Sequence, residues 1–185
     1  NLGAPAQLLL ARDASAEVRR VLAAQPNLTS AALQCLTSDE DTVQSSLAGN
    51  EHLGSALVQM DLCRHSSEPV RVALAGNTSL NATVQARLVK DPSAKVREAL
   101  AGNKNLDESL LESLMQDEDD DVRERLVRWR DAVAPSVQRH LATDPKVAIR
   151  RYLARAENLL DDVQLLLASD QPEVQEALAG NAALV

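Results

Sequence analysis

Phenylalanine is absent from these 185 residues, and tryptophan and tyrosine occur once each. A core without large rings must be built from Leu, Val and Ala, which suits closely approaching helices better than a β-sandwich. Cysteine occurs only at Cys35 and Cys63, with no C-x-x-C. Two thiols make no disulfide framework, so a reducing, cytoplasmic setting is expected. Glycine is scarce too, and its six copies stand singly. The phosphate-cradling patterns G-x-x-x-x-G-K-[ST] and G-x-G-x-x-G are missing, as is the nucleophile elbow G-x-S-x-G. His52, His65 and His140 are scattered, and no two share the i, i+4 spacing of a helical zinc pair. No apolar run approaches the ~20 residues of a membrane span, and no signal peptide is visible. These absences predict no catalytic residue, no metal ligand set and no membrane partner, and the expectation is a protein that is not an enzyme. Basic residues are outnumbered, 19 Lys+Arg against 27 Asp+Glu, for a net charge of −8. That argues against a general nucleic-acid binder unless basic charge is concentrated locally.

What is present is repetition. Hydrophobic residues make up 45% of the chain, enough for a core and against disorder. Leu-Ala-Gly-Asn occurs at Leu47–Asn50, Leu74–Asn77, Leu100–Asn103 and Leu178–Asn181. Each copy sits in V-[RQ]-x-x-L-A-G-N-x-x-L. The leading apolar positions are Val18, Val43, Val70, Val96, Val122, Ile149 and Val174, spaced by 25, 27, 26, 26, 27 and 25. A second row is Leu2, Leu28, Leu53, Leu80, Leu106, Ala132, Leu159 and Leu184. Two rows held in phase along the whole chain identify a repeat architecture.

Each unit reads as two short helices. In the unit from Asp91 to Gln116, Asp91 is expected to cap the first helix, with Pro92 in its first turn. Val96 and Leu100, four apart, share a buried face. Gly102 is expected to end the helix in the left-handed conformation. Asp107 can cap a second helix, on which Leu110 and Leu114 are again four apart. One unit cannot bury both apolar faces, but stacked units can. The period is too short for tetratricopeptide, HEAT or armadillo units, and the strand pattern of ordinary leucine-rich repeats is missing.

The pattern D-P-x-x-x-V-R-x-x-L-A-x-N-x-x-L, best seen at Asp91–Leu106, resembles the leucine-rich repeat variant family. The resemblance covers nearly the whole chain and is weakest at 122–141 and 149–167. It implies an all-α, right-handed superhelical solenoid of about seven 26-residue repeats. Each repeat would be an α-helix plus a short α- or 3₁₀-type helix, in one domain over 1–185. Some relatives of this kind carry a cysteine-rich iron–sulphur module before the repeats. No cysteine here matches it, so no cofactor is expected in this chain, and a cluster would belong to a missing N-terminal module. The chain opens and closes in mid-repeat, which is read as a segment of a longer array.

Five units follow the leading residue with Arg (Arg19, Arg71, Arg97, Arg123 and Arg150), and six begin with Asp (Asp13, Asp39, Asp91, Asp117, Asp144 and Asp170). A structural ladder between repeats explains them better than an anionic ligand does. Asn50, Asn77, Asn103 and Asn181 are expected to tolerate the left-handed region and to bond backbone groups freed at a helix end. Cys35 reads as a small buried hydrophobe. Arg64 and His65 beside Cys63 could lower its thiol pKa, making it the better candidate for reactivity, though nothing marks a base or resolving partner.

Departures from the repeat locate the candidate site. Residues 123–155 hold nine of the chain's nineteen basic residues against Glu124, Asp131 and Asp144, a local charge of +6. Trp129, Tyr152 and His140 fall inside the same stretch. Arg, Trp and Tyr are the types enriched in binding hot spots. The candidate binding residues are therefore Arg125, Arg128, Trp129, Arg130, Arg151 and Arg155, with Trp129 as anchor. The leading expectation is a monomeric scaffold that binds a protein partner with an acidic surface. Two alternatives stay open: the repeat portion of an iron–sulphur redox protein, and single-stranded nucleic acid stacked on a ring. The acidic run Asp117–Asp121 lacks the Gly and terminal Glu of an EF-hand. It is expected to cap the Val122 helix, and it could screen the patch.

Overall fold

The computed structural model describes residues 2–128 and 133–184, and among these every regular element is helical. The chain divides into two compact units, Asn1–Leu106 and Asp107–Val185. The first contains α1 (Ala4–Leu10), α2 (Ala16–Ala23), α3 (Ser30–Leu36), α4 (Asp41–Ala48), α5 (Ala56–Cys63), α6 (Glu68–Ala75), α7 (Ala82–Leu88) and α8 (Ala94–Ala101). The helices that carry the leading valines pack in the order α2, α4, α6, α8, while α1 packs on α3 and α5 on α7. The second unit opens with a 3₁₀ turn (Glu108–Leu110) running into α9 (Leu111–Met115). It continues with α10 (Asp120–Arg128), α11 (Pro135–Leu141), α12 (Val147–Leu153), α13 (Asp161–Ala168), α14 (Pro172–Ala179) and a 3₁₀ turn (Ala182–Leu184). Here α10, α12 and α14 pack in a row and α9 packs on α11. No helix among the described residues is long and apolar enough to cross a membrane.

Helices of two turns do not persist alone in water, so burial must hold them. Val43, Val70, Val96, Val122, Ile149 and Val174 are fully buried, as are Leu47, Leu74, Leu100, Leu126 and Leu153 one turn further on. Each such side chain contributes about 1.5–3 kcal/mol by leaving water. In the second row Leu53, Leu80, Leu106 and Leu159 are buried, and Ala132 lies outside the described residues. Leu2 departs from its row at 46% exposed. With Leu10, Val18, Val21 and Leu22 it lines an open apolar hollow of about 330 Å³ at the end of the first unit.

Asparagine joins consecutive repeats. The Asn77 Nδ2 donates to the carbonyls of Ala48 at 2.7 Å and Asn50 at 2.9 Å, while its Oδ1 accepts from the Ser79 amide at 2.8 Å. Asn50 repeats this with Ala23, Gln25 and His52, Asn103 with Ala75, Asn77 and Asn105, and Asn181 with Ala154, Ala156 and Ala183. The expected bonding of helix-end groups is right, but those groups belong to the preceding repeat. The expected left-handed backbone is not found. Gly102 has φ −82°, no described glycine has positive φ, and the one such non-glycine is Asn27 at 59°.

A second row is glutamine, on the alternate helices. The Gln138 Nε2 donates to the carbonyls of Val133 at 2.7 Å and Asn158 at 2.9 Å, and its Oε1 accepts from the Leu160 amide at 2.9 Å. Gln7 and Gln59 do the same in the first unit. The row is apolar at Leu33, within the regular helix α3, and at Leu111, where the second helix begins as a 3₁₀ turn. Leu111 and Leu114 are buried, as Gln85 and Leu88 are one period earlier, while Leu110, expected inside, is half-buried.

The Arg–Asp ladder is structural. Arg19 grips Asp39 through Nε at 2.6 Å and Nη2 at 2.9 Å, and its Nη1 donates to the Asp13 carbonyl at 2.7 Å. Arg71 with Asp91, Arg123 with Asp144 and Arg150 with Asp170 repeat the fork. Asp91 is therefore not the helix cap. It accepts from the Ser93 amide at 2.9 Å, the helix begins at Ala94, and Pro92 stays outside it.

Candidate functional site

The basic segment lies in the second unit, on α10 and α12. At the third residue after the leading valine the repeat carries alanine (Ala73, Ala99 and Ala177), but here it carries Arg125 and Tyr152. At the sixth, where Gly49, Gly76, Gly102 and Gly180 stand, it carries Arg128 and Arg155. Successive helices thus replace small residues by long cationic or aromatic ones at matching positions.

The Arg128 guanidinium lies over the Tyr152 ring at 5.3 Å from its centroid, and that of Arg151 at 5.7 Å. The negative π face favours both cations. Arg128 also reaches Glu124 at 3.5 Å while its side chain stays half exposed. Arg151 is half-buried, with its Nε enclosed and unpartnered. Arg125 is half-buried on α10, and Arg155 is exposed just past α12. Trp129 and Arg130 lie outside the described residues. The structure thus gathers Arg128 and Arg151 on one ring, and that ring, Tyr152, was absent from the predicted set. Its signal was present in the sequence: Tyr152 interrupts the alanine row one repeat after Arg125.

The excess positive charge is smaller in space than along the chain. Arg123 and Arg150 belong to the ladder. Arg139 pairs with Asp162 at 2.8 Å. Lys146 sits 2.8 Å from Asp120, 3.5 Å from Asp121 and 3.6 Å from Glu124. Its hydrogen bond to Asp120 raises the ammonium pKa and lowers that of the carboxyl. The acidic run therefore screens part of the patch, because stacking brings residues about one repeat apart into contact. Asp119, Asp120 and Asp121 lie close enough together to hold a cation, but the Lys146 ammonium already lies against Asp120.

The two thiols behave differently from expectation. Cys35 is half-buried, not buried. Cys63, 5% exposed, has its pKa raised, because burial outweighs the nearby Arg87, Arg64 and Arg71. A protonated, enclosed thiol is a poor nucleophile.

No family model matches the sequence, and no curated protein matches it. Among solved structures, a leucine-rich repeat variant with a novel repetitive structural motif aligns over 97% of this chain and 72% of its own, with a TM-score of 0.66 and 23% identity. This chain has the leucine-rich repeat variant fold. An engineered protein aligns with a TM-score of 0.40 and 14% identity over 96% of this chain and 97% of its own. Computationally designed armadillo repeat proteins for modular peptide recognition align at 0.33 and 20% over 98% and 80%. Within the leucine-rich repeat variant fold the second helix of the unit takes either form: α in α5 or α7, and 3₁₀ then α at 108–115.

Proposed function

We propose that this chain is a non-enzymatic interaction scaffold, and that the α10–α12 face holds a partner protein with an acidic surface. The observation that carries the reading is the pair of guanidinium groups, Arg128 and Arg151, held over Tyr152 at 5.3 and 5.7 Å. Stacking fixes long side chains that would otherwise lose entropy on binding, and a guanidinium fork suits a carboxylate. A ring already covered by cations is not offered to a nucleic-acid base, which favours protein over single-stranded nucleic acid. Arg155 and Arg125, on or just past the same helices, extend the proposed surface, and Trp129 and Arg130 belong to the proposal by sequence alone.

The test is fluorescence anisotropy with a Glu/Asp-rich peptide at low salt. The unaltered chain is expected to bind, and Arg128→Glu with Arg151→Glu to weaken binding about tenfold or more, with helical circular dichroism unchanged. Binding that is absent, or equal in both proteins, would overturn the reading.

A further inference from the structure

The first unit holds a second concentration of positive charge, independent of the α10–α12 face. A hollow of about 630 Å³ opens where the turn after α5 meets the turn after α7, and its lining includes Cys63, Arg64, Arg71, Arg87, Lys90 and Asp91. Asp91 is the one carboxylate there, and the bidentate Arg71 neutralises it. Arg64 and Lys90 are one 26-residue step apart, so equivalent positions of neighbouring repeats place a cation on each rim. Arg64 has a carboxylate only at 4.0 Å, from Asp61. Arg87 and Lys90 are exposed and form no ion pair among the described residues.

The ladder itself changes at this place. Where other repeats present Asp, this edge presents His65, whose Nδ1 takes over the Asp role by accepting from the Ser67 amide at 3.1 Å. The hollow therefore lacks a carboxylate that the repeat would otherwise supply. Arg64, Arg71, Arg87 and Lys90 line the hollow against Asp91 alone, in a protein whose net charge is −8. A concave surface lined by one sign of charge focuses its field inward. Arginine forks fit phosphate oxygens, and lysine adds a mobile point charge.

We propose that this hollow binds a small polyanion carrying phosphate groups, held by Arg64, Arg87 and Lys90. Its size admits a molecule of several phosphate groups, and a surplus of three cations matches that charge better than a single carboxylate would. Arg71 holds Asp91 in place and closes the side of the site.

Isothermal titration calorimetry with inorganic tripolyphosphate, at about 50 mM salt, tests this on the whole chain. One equivalent is expected to bind, more weakly as salt rises. Arg87→Gln with Lys90→Gln should weaken binding about tenfold or more, and Arg64→Gln, made separately, should weaken it as well if the double variant fails to fold. Arg128→Glu with Arg151→Glu should leave binding within about twofold, which separates this site from the other. No binding by the unaltered chain, or binding that survives neutralisation of the rim, would overturn the proposal.

Discussion

Asn77 makes three side-chain hydrogen bonds, its two N–H groups donating to the carbonyls of Ala48 and Asn50 and its oxygen accepting from the Ser79 amide. The two donated bonds are buried and the accepted one part-buried, so an unmade bond costs the desolvation of the group left behind. Asn77→Ala is therefore expected to destabilise the protein by about 2–4 kcal/mol, measured by urea unfolding. A loss within about 0.5 kcal/mol would show that water or relaxation supplies those bonds. The row of asparagines was legible in the sequence. Its task was not, because the carbonyls it serves lie 25 to 29 residues earlier. The charge types announced the ladder, but each arginine's partner lies 20 or 21 residues later, in the next repeat. Arg19 holds the Asp39 carboxyl below its ordinary value of 3.8, and Arg150 does the same to Asp170, both mainly through the hydrogen bond. A carboxyl more acidic in the folded state contributes stability that is complete above its unfolded pKa and lost as pH falls through the folded one. The urea midpoint is expected to be flat from pH 7 to about 5 and to fall below about 4. Arg19→Gln should lose stability at neutral pH, and its deficit should shrink as the pH falls. A deficit that is constant down to pH 2 would contradict the pairing.

Short helices need a stop, and the repeat supplies glycine there. Reading that glycine as left-handed was the natural inference from its position, and it fails because the helices end in ordinary right-handed geometry, as at Gly76 with φ −77°. Arg128 occupies the same position at the end of α10, direct evidence that a side chain is accepted there. A Cβ on Gly76 would meet nothing nearer than the Ala73 and Val72 carbonyls at 3.8 Å. Gly76→Ala should then stabilise by about 0.4–1 kcal/mol, chiefly by restricting the unfolded chain, whereas destabilisation would indicate a strained cap. The glutamine row went unread in the sequence, although Gln59 and Gln85 stand one period apart. Polar residues inside a helix are easily taken for solvent-facing ones. Gln138 is fully buried with three bonds, so Gln138→Ala is expected to cost about 2–4 kcal/mol, read from the same denaturation curves.

For the molecule as a whole, helix pairs in a period of 26 were legible because buried faces recur with the period, and aromatic-free packing agreed with it. The candidate site was legible only in outline. Counting charges along residues 123–155 exposed the basic excess, and the neighbouring acidic run was expected to screen it, as Asp120 and Asp121 do against Lys146; the pairing of Arg139 with Asp162, 23 residues on, was not legible. Tyr152 was noticed in the stretch but not placed in the candidate set, because only stacking shows that two of the predicted arginines converge on its ring. Each unit is held by apolar columns flanked by side-chain ladders, asparagines that satisfy the backbone of the repeat before and glutamines that reach the backbone of the repeat after. The most direct test is solvent exchange of the asparagine side-chain amides by nuclear magnetic resonance. Asn50, Asn77, Asn103 and Asn181 are expected to exchange about a hundredfold or more slowly than the exposed Asn81. Exchange of those four at the Asn81 rate would mean that the repeats are not joined in this way.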